Sequence, residues 1–130
     1  MTLLRVSEAA RYLGVSDDTV RRWVGAGRLT RHTDGAGKAA VDGVEVAALA
    51  RGASDQPDAV PTSARNTFAG LVTHVVMDTV MAQVELQCGP FRVVSLMSAE
   101  AARELGLEPG MPATAVVKAT TVIINRETAP

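Results

Sequence analysis

The 130-residue sequence predicts an α+β protein of two modules, a mainly helical front and a β-rich back. Up to residue 51, apolar residues recur at helical spacing around glycine turns. From residue 63 onward they alternate at strand spacing. Between the two lies GASDQPDAVPT, residues 52–62, with two prolines, a glycine, two aspartates and almost no bulky apolar side chain. Such a stretch has no face to bury and reads as a flexible, extended linker. The expected layout is therefore a first domain over 1–51, a linker over 52–62 and a second domain over 63–126.

In the front module Ser7 is the expected N-cap of a first helix, with Ala9, Ala10 and Leu13 on one face. Gly14 stands where a helix end favours a left-handed residue. Ser16 or Asp17 then caps a second helix whose Val20, Trp23 and Val24 share a face, which marks Trp23 as a core residue. Asp17, Asp18, Thr19, Arg21 and Arg22 are left more exposed. Two short helices joined by a glycine turn form a helix-turn-helix, whose second helix enters the DNA major groove. A short strand to Arg31, a turn over 33–37 and a return strand over 38–41 follow. Asp42 to Glu45 then reads as a capping box for a third helix carrying Val46 and Leu49. Helix, turn, helix, hairpin, helix is a winged helix-turn-helix layout.

In the back module residues 68–77 are rich in Val, Leu and Thr, and Asp78 and Thr79 read as a turn. Val80, Ala82, Val84, Leu86 and Cys88 alternate with Met81, Gln83, Glu85 and Gln87, the period of a half-buried strand. Gly89 and Pro90 turn the chain into a third strand over 91–97, and Ser98 caps a short helix over 99–105. Strands over 111–118 and 120–125 complete the set. Five short strands with one short helix between the third and fourth suit a five-stranded OB-like β-barrel.

Bulk properties narrow the function. Hydrophobic residues make up 47% but aromatics only 3%, so the core must be built from Val, Ala, Leu, Ile and Met. Small modules with few bulky residues bury limited area per chain, which points toward an oligomer. The overall charge of −1 divides into eight cations against six acids before residue 52, and five against eight after it. The front is mildly basic, so DNA binding is expected to be modest per subunit and to gain from multivalency. A single cysteine excludes an intrachain disulfide and a structural zinc site. No secretory leader and no apolar run of about 20 residues is present, and a cytoplasmic protein is expected. His74 and Cys88 read as packing or surface residues, and Met77, Met81, Met97 and Met111 as core or interface fillers. No Ser/His/Asp or paired-carboxylate constellation and no phosphate-binding loop occurs, so no enzyme is expected.

The run LRVSEAARYLGVSDDTVRRWVGAGRL resembles the MerR and phage-excisionase type of winged helix-turn-helix, a likeness that covers residues 3–51. It implies binding to double-stranded DNA, with Ser16, Thr19, Arg21 and Arg22 toward the duplex and Arg28 and Arg31 near backbone phosphates. In the hairpin the family carries a Gly-x-Arg-x-Tyr type of element. Here Lys38 stands near the arginine place and Ala40 near the aromatic one.

Four further blocks resemble a molbindin, or TOBE, domain over residues 63–126: SARN, the alternating VAQVEL strand, VVSLMSAEAARELGLEPG and AVVKATTVII. The resemblance implies that molybdate or tungstate is the ligand, bound at sites shared between subunits of a dimer or hexamer. By position, Ser63, Ala64, Arg65 and Asn66 would supply donors and Lys118 the cationic charge. Ser98 matches the family's hydroxyl at the start of the short helix. Ala101 stands where a second hydroxyl is usual, leaving its backbone N–H. These residue types suit a tetrahedral dianion, which is held by N–H groups, hydroxyls and one or two cations. Two functions follow: a molybdate-responsive DNA-binding regulator, or a storage and buffering protein whose front module is structural.

Overall fold

The computed structural model describes residues 1–53 and 61–127. The chain separates into two compact units, Met1–Asp55 and Gln56–Pro130, each with its own hydrophobic core. Of the linker expected over 52–62, residues 54–60 lie outside the described residues. Gly52 and Ala53 still belong to a helix, because the alanine-rich sequence before them has nothing to stop it.

The first unit opens with a strand that periodicity does not reveal, β1 (Leu3–Arg5). Helices α1 (Val6–Leu13) and α2 (Asp17–Gly25) follow, then β2 (Arg31–Thr33), β3 (Ala39–Asp42) and α3 (Gly43–Ala53). The three strands form one antiparallel sheet in the order β1-β3-β2. Arg5, not Ser7, precedes the first helical residue, and its N–H donates to Glu8 Oε1 at 3.1 Å. Ser7 is drawn into the helix because β1 runs directly into α1. Gly14 ends α1 at φ 69°, the left-handed value its position calls for. At α3, Asp42 Oδ1 accepts the Val44 N–H at 3.0 Å. The expected partner Glu45 turns elsewhere: its carboxylate takes the Thr30 N–H and hydroxyl, both at 3.2 Å, tying α3 to the start of β2. Ala9, Ala10, Val20, Leu29, Val41 and Val46 form the core, with Trp23 packed on its margin.

The second unit contains β4 (Asn66–Met77), β5 (Met81–Cys88), β6 (Phe91–Ser98), α4 (Ala99–Glu104) and β7 (Pro112–Val117) in a sheet ordered β6-β5-β4-β7. The long strand β4 is shared: its first half pairs with β7 and its second half with β5, with a register shift between Val72 and His74. That irregularity bends the strand and curls the sheet. Among the described residues this sheet has four strands where five were expected. Residues 120–125 do not pair; a 3-10 turn, Ala119–Thr121, ends β7, with the Thr121 N–H and hydroxyl both on the Lys118 carbonyl. Beyond it Ile123 and Ile124 are each 84% exposed, because no sheet edge of the same chain meets them. The sheet is therefore a curled, OB-like one rather than a closed barrel. Its edge strands β6 and β7 line opposite sides of a groove of about 460 Å³.

Within β5 the alternation is realised, with Ala82, Val84, Leu86 and Cys88 buried, whereas Val80, expected on the same face, lies in the Asp78 turn before the strand and is 68% exposed. Val72, Val84, Leu86 and Cys88 make the core of this unit. Gly70 has a specific duty there. A Cβ at that position would stand 2.6 Å from both Cys88 Sγ and the Gln87 carbonyl oxygen. Gly70→Val is expected to force β4 from β5 and destabilise the second unit by about 1–3 kcal/mol, read as a lowered urea midpoint. Gly52→Ala, where a Cβ meets nothing within 4 Å, is the contrasting variant and is expected to leave that midpoint unchanged.

Candidate functional site

The first candidate surface is the exposed side of α2 and the hairpin beside it. Val20 is fully buried and Val24 half-buried, so the helix turns Asp17, Asp18, Arg21 and Arg22 outward. Two residues expected toward DNA, Ser16 and Thr19, are engaged with each other. Ser16 Oγ accepts the Thr19 N–H at 3.1 Å, and the two hydroxyls lie 2.9 Å apart. They set the helix start. Arg21 Nη1 donates to Asp18 Oδ1 at 3.0 Å, an exposed ion pair. Arg22 is exposed and makes no ion pair among the described residues. The Arg28 guanidinium lies 4.8 Å from the centre of the Trp23 ring, which fixes that cation at the end of α2. Arg31 joins Arg21 in lining a groove of about 390 Å³ floored by Val6, Val24 and Val41.

Lys38 sits at the foot of the hairpin turn. Its N–H, like that of Ala36, reaches Asp34 Oδ1 at 2.9 Å. The Lys38 N–H, chiefly, holds the Asp34 carboxyl below its ordinary value of 3.8.

The second candidate surface lies where β4 begins and β7 ends. Asn66 pairs with Val117 in the antiparallel register, and its Nδ2 donates to the Val117 carbonyl at 3.1 Å. Lys118 is the next residue, so Arg65, Asn66 and Lys118 share one end of the strand pair. Arg65 Nη1 is turned back onto the Thr62 carbonyl at 3.1 Å, and Thr62 Oγ1 accepts the Ala64 N–H at 3.1 Å. Ser63 is exposed beside them. Of the five cations after residue 51, Arg92 is committed to Glu85 and Arg103 donates to Met77 Sδ at 3.6 Å. Lys118 is exposed and makes no ion pair among the described residues.

Ser98 and Ala101 lie apart from this junction. Ser98 pairs with Met81 at the far end of the sheet, where β4 finishes at Met77. Ser98 Oγ accepts the Ala101 N–H at 3.0 Å, so the hydroxyl caps α4 and occupies the very N–H expected to be available. One chain thus brings together Ser63, Ala64, Arg65, Asn66 and Lys118 and leaves Ser98 and Ala101 twelve strand residues away.

Three residues in these surfaces escaped the sequence reading: Asp18, which holds Arg21; Thr62, which braces Ala64 and Arg65; and Thr121, which closes on Lys118. Only the first left a signal, the three-residue spacing of an acid and a base on a helix. Among the described residues no cluster of three or more His, Cys, Asp or Glu could hold a metal ion, and no helix is long and apolar enough to cross a membrane.

Comparison with known proteins assigns both units. A TOBE domain model matches residues 62–124, and a helix-turn-helix domain model matches residues 3–53. Molybdenum-pterin-binding protein 2 of Clostridium pasteurianum is 40% identical over 63 residues, which is 48% of this chain and 93% of that protein. The chain belongs to the TOBE-domain family. Molybdenum-pterin-binding protein 3 of the same organism is likewise 40% identical over 63 residues, with the same coverage. A solved molybdate-binding protein from Sporomusa ovata superposes with a TM-score of 0.50 at 30% identity, over 52% of this chain and all of that one. The TOBE unit therefore has the curled sheet of a molybdate-binding protein fold, joined here to a helix-turn-helix domain.

The Asp34 geometry carries a pH dependence. Its carboxyl is depressed in the folded hairpin, so the stabilisation is complete above about 3.8 and is lost as pH falls from there through the folded value. Amide-exchange protection at Ala36 and Lys38 is expected to hold at neutral pH and to fade below about 3.8. In Asp34→Ala it is expected to be weak at every pH.

Proposed function

We propose that the protein is a DNA-binding regulator that responds to molybdate or tungstate, with the oxyanion held between subunits of an oligomer. The observation that carries this reading is the conjunction in one chain of a helix-turn-helix domain with a TOBE unit 40% identical to molybdenum-pterin-binding proteins. The winged arrangement of α2 and the β2–β3 hairpin supports duplex binding, with Arg21, Arg22, Arg28, Arg31 and Lys38 as its cations and Ser16 and Thr19 setting the helix start.

For the oxyanion, the Arg65, Asn66 and Lys118 end supplies two cations and an amide beside the Ser63 hydroxyl and the Ala64 backbone. A dianion there is favoured by charge-assisted hydrogen bonds. The Ser98 hydroxyl of a second copy, whose proton stays available while its oxygen caps α4, would complete the shell beside Ala101. In their own chain these two stand at the opposite end of β4. A second copy is also what the exposed Ile123 and Ile124 call for, since isolated chains rarely leave two adjacent isoleucines in water. Dimer and hexamer both satisfy these needs. Regulation requires that the ligand bind the DNA-competent and incompetent states with different affinity.

Storage or buffering is the second reading. It is favoured by the fact that this TOBE unit alone matches 93% of the length of the molybdenum-pterin-binding proteins, so anion binding need not involve the DNA-binding half.

Native mass spectrometry and calorimetry with molybdate are expected to give an oligomer with bound anions, with sulfate competing poorly. Lys118→Ala is expected to weaken the anion by roughly 10- to 150-fold, the range for a hydrogen bond to a charged group. Near-normal affinity in that variant overturns the Lys118 role. Ser98→Asp keeps a good N-cap but adds a negative charge, and is expected to retain stability and lose the anion. Operator affinity measured with and without molybdate separates the readings, since an unchanged value alongside tight uptake favours storage.

A further inference from the structure

The Asp18–Arg21 pair adds at most a small increment to the stability of α2, and general attraction to DNA does not account for it. Acids at a helix start favour the helix dipole, but here Asp18 is committed to a cation one turn on, at 3.0 Å, with both side chains well exposed. An exposed pair of this kind contributes little to folding. In an electrostatic docking surface it is also a poor choice. Its net charge is near zero, so it gains little from a phosphate, and the carboxylate repels one. Arg22, next along the helix, is exposed and makes no ion pair among the described residues. The helix thus carries one cation suited to neutralising phosphate and one that is oriented instead.

Orientation is what base reading requires. A guanidinium presents a rigid fork of N–H donors that matches O6 and N7 of guanine in the major groove. With one edge fixed by Asp18, the rest of the Arg21 fork remains for a base. Asp18 keeps a second oxygen that can only accept, which suits the exocyclic amine of cytosine or adenine on a neighbouring pair. Position agrees, because the N-terminal part of the second helix of a helix-turn-helix is the part that meets base edges. Arg21 also lines the groove between α2 and the hairpin, with Arg31 on the same cavity. It therefore lies on the side of α2 turned toward the hairpin.

We infer that the Asp18–Arg21 pair is a base-reading unit that selects guanine, with an amine-bearing base on an adjacent pair, while Arg22 contacts backbone phosphate. This rests on the DNA-binding reading of α2 given above.

The test is selection from a randomised duplex library by the full chain, followed by anisotropy on the selected duplex and its single-base variants at two salt concentrations. The native protein is expected to require guanine at one position per half-site, with roughly 5- to 150-fold discrimination. Arg21→Ala and Arg21→Lys are both expected to lose that discrimination while the salt dependence stays near its native slope. Arg22→Ala is expected to keep the discrimination and lower the slope by about 0.9. Asp18→Ala is expected to relax the neighbouring base preference, an effect a purely structural acid does not produce, and to tighten binding to unselected DNA as the loss of any acid there would. If Arg21→Ala weakens all sequences alike and lowers the slope by about 0.9, or if Asp18→Ala leaves the selected sequence unchanged, the inference is overturned and Arg21 is a phosphate contact. If the native chain shows no salt-sensitive binding to any duplex, the DNA-binding reading itself falls.

Discussion

The second unit hangs on the divided pairing of β4. Residues 66–71 are hydrogen-bonded to β7 and residues 71–77 to β5, and the strand changes partner at Leu71. The residues just before β7 carry that pairing one step further, the Val72 N–H donating to the Met111 carbonyl at 2.9 Å and the Val72 carbonyl accepting from Gly110 at 2.8 Å. Val72 itself is wholly buried. A strand fixed on two sides and bent between them cannot stay flat, and the curl brings β6 and β7 to face one apolar groove. The same division sets the chemistry at each end. The β7 half delivers Asn66 beside Val117 and hence beside Lys118, while the β5 half delivers Met77 and Met81 to the place where Ser98 caps α4. Gly70 lies within the first half, just before the change of partner, and its missing side chain lets β5 come close enough to form the core.

Much of this was legible in the residues because burial follows period. The faces of α1 and α2, and the alternation of β5, are set by where apolar side chains must go, and the core contains those expected there. The segment 120–125 shows where that logic stops. Thr120, Thr121, Val122, Ile123 and Ile124 have high strand propensity, but propensity is satisfied only against a partner edge, and a single chain offers none. The three residues of β1 are too few to show a period, and they pair with a strand more than thirty residues on. Cap identity at Arg5 and the choice of Thr30 by Glu45 depend on which donors arrive nearby, which no local pattern encodes. At the candidate oxyanion surface the residue types were readable, yet their division between two ends of the sheet follows from register alone.

The two units use charge differently. The helix-turn-helix domain places cations on elements it has already fixed: Arg28 on an indole, Arg21 on a carboxylate, Lys38 at a turn closed by Asp34. The TOBE unit holds few cations and lets one of them, Arg65, rest on backbone carbonyls of its own segment. A carbonyl holds a guanidinium less strongly than a charged acceptor does, so Arg65 is not locked in place by these partners. Its resting partner, Thr62, is the last hydroxyl before the segment that leads back toward the first unit.

Trp23 is the chain's single indole, and the only tyrosine, Tyr12, also belongs to the first unit; the TOBE unit holds just Phe68 and Phe91. Ultraviolet emission excited near 295 nm therefore comes from one residue, on the helix beside Arg22 and under the Arg28 guanidinium. The TOBE unit has no indole or phenol and is silent at that wavelength. A change in that emission on adding an oxyanion is therefore read from the first unit alone, without a label.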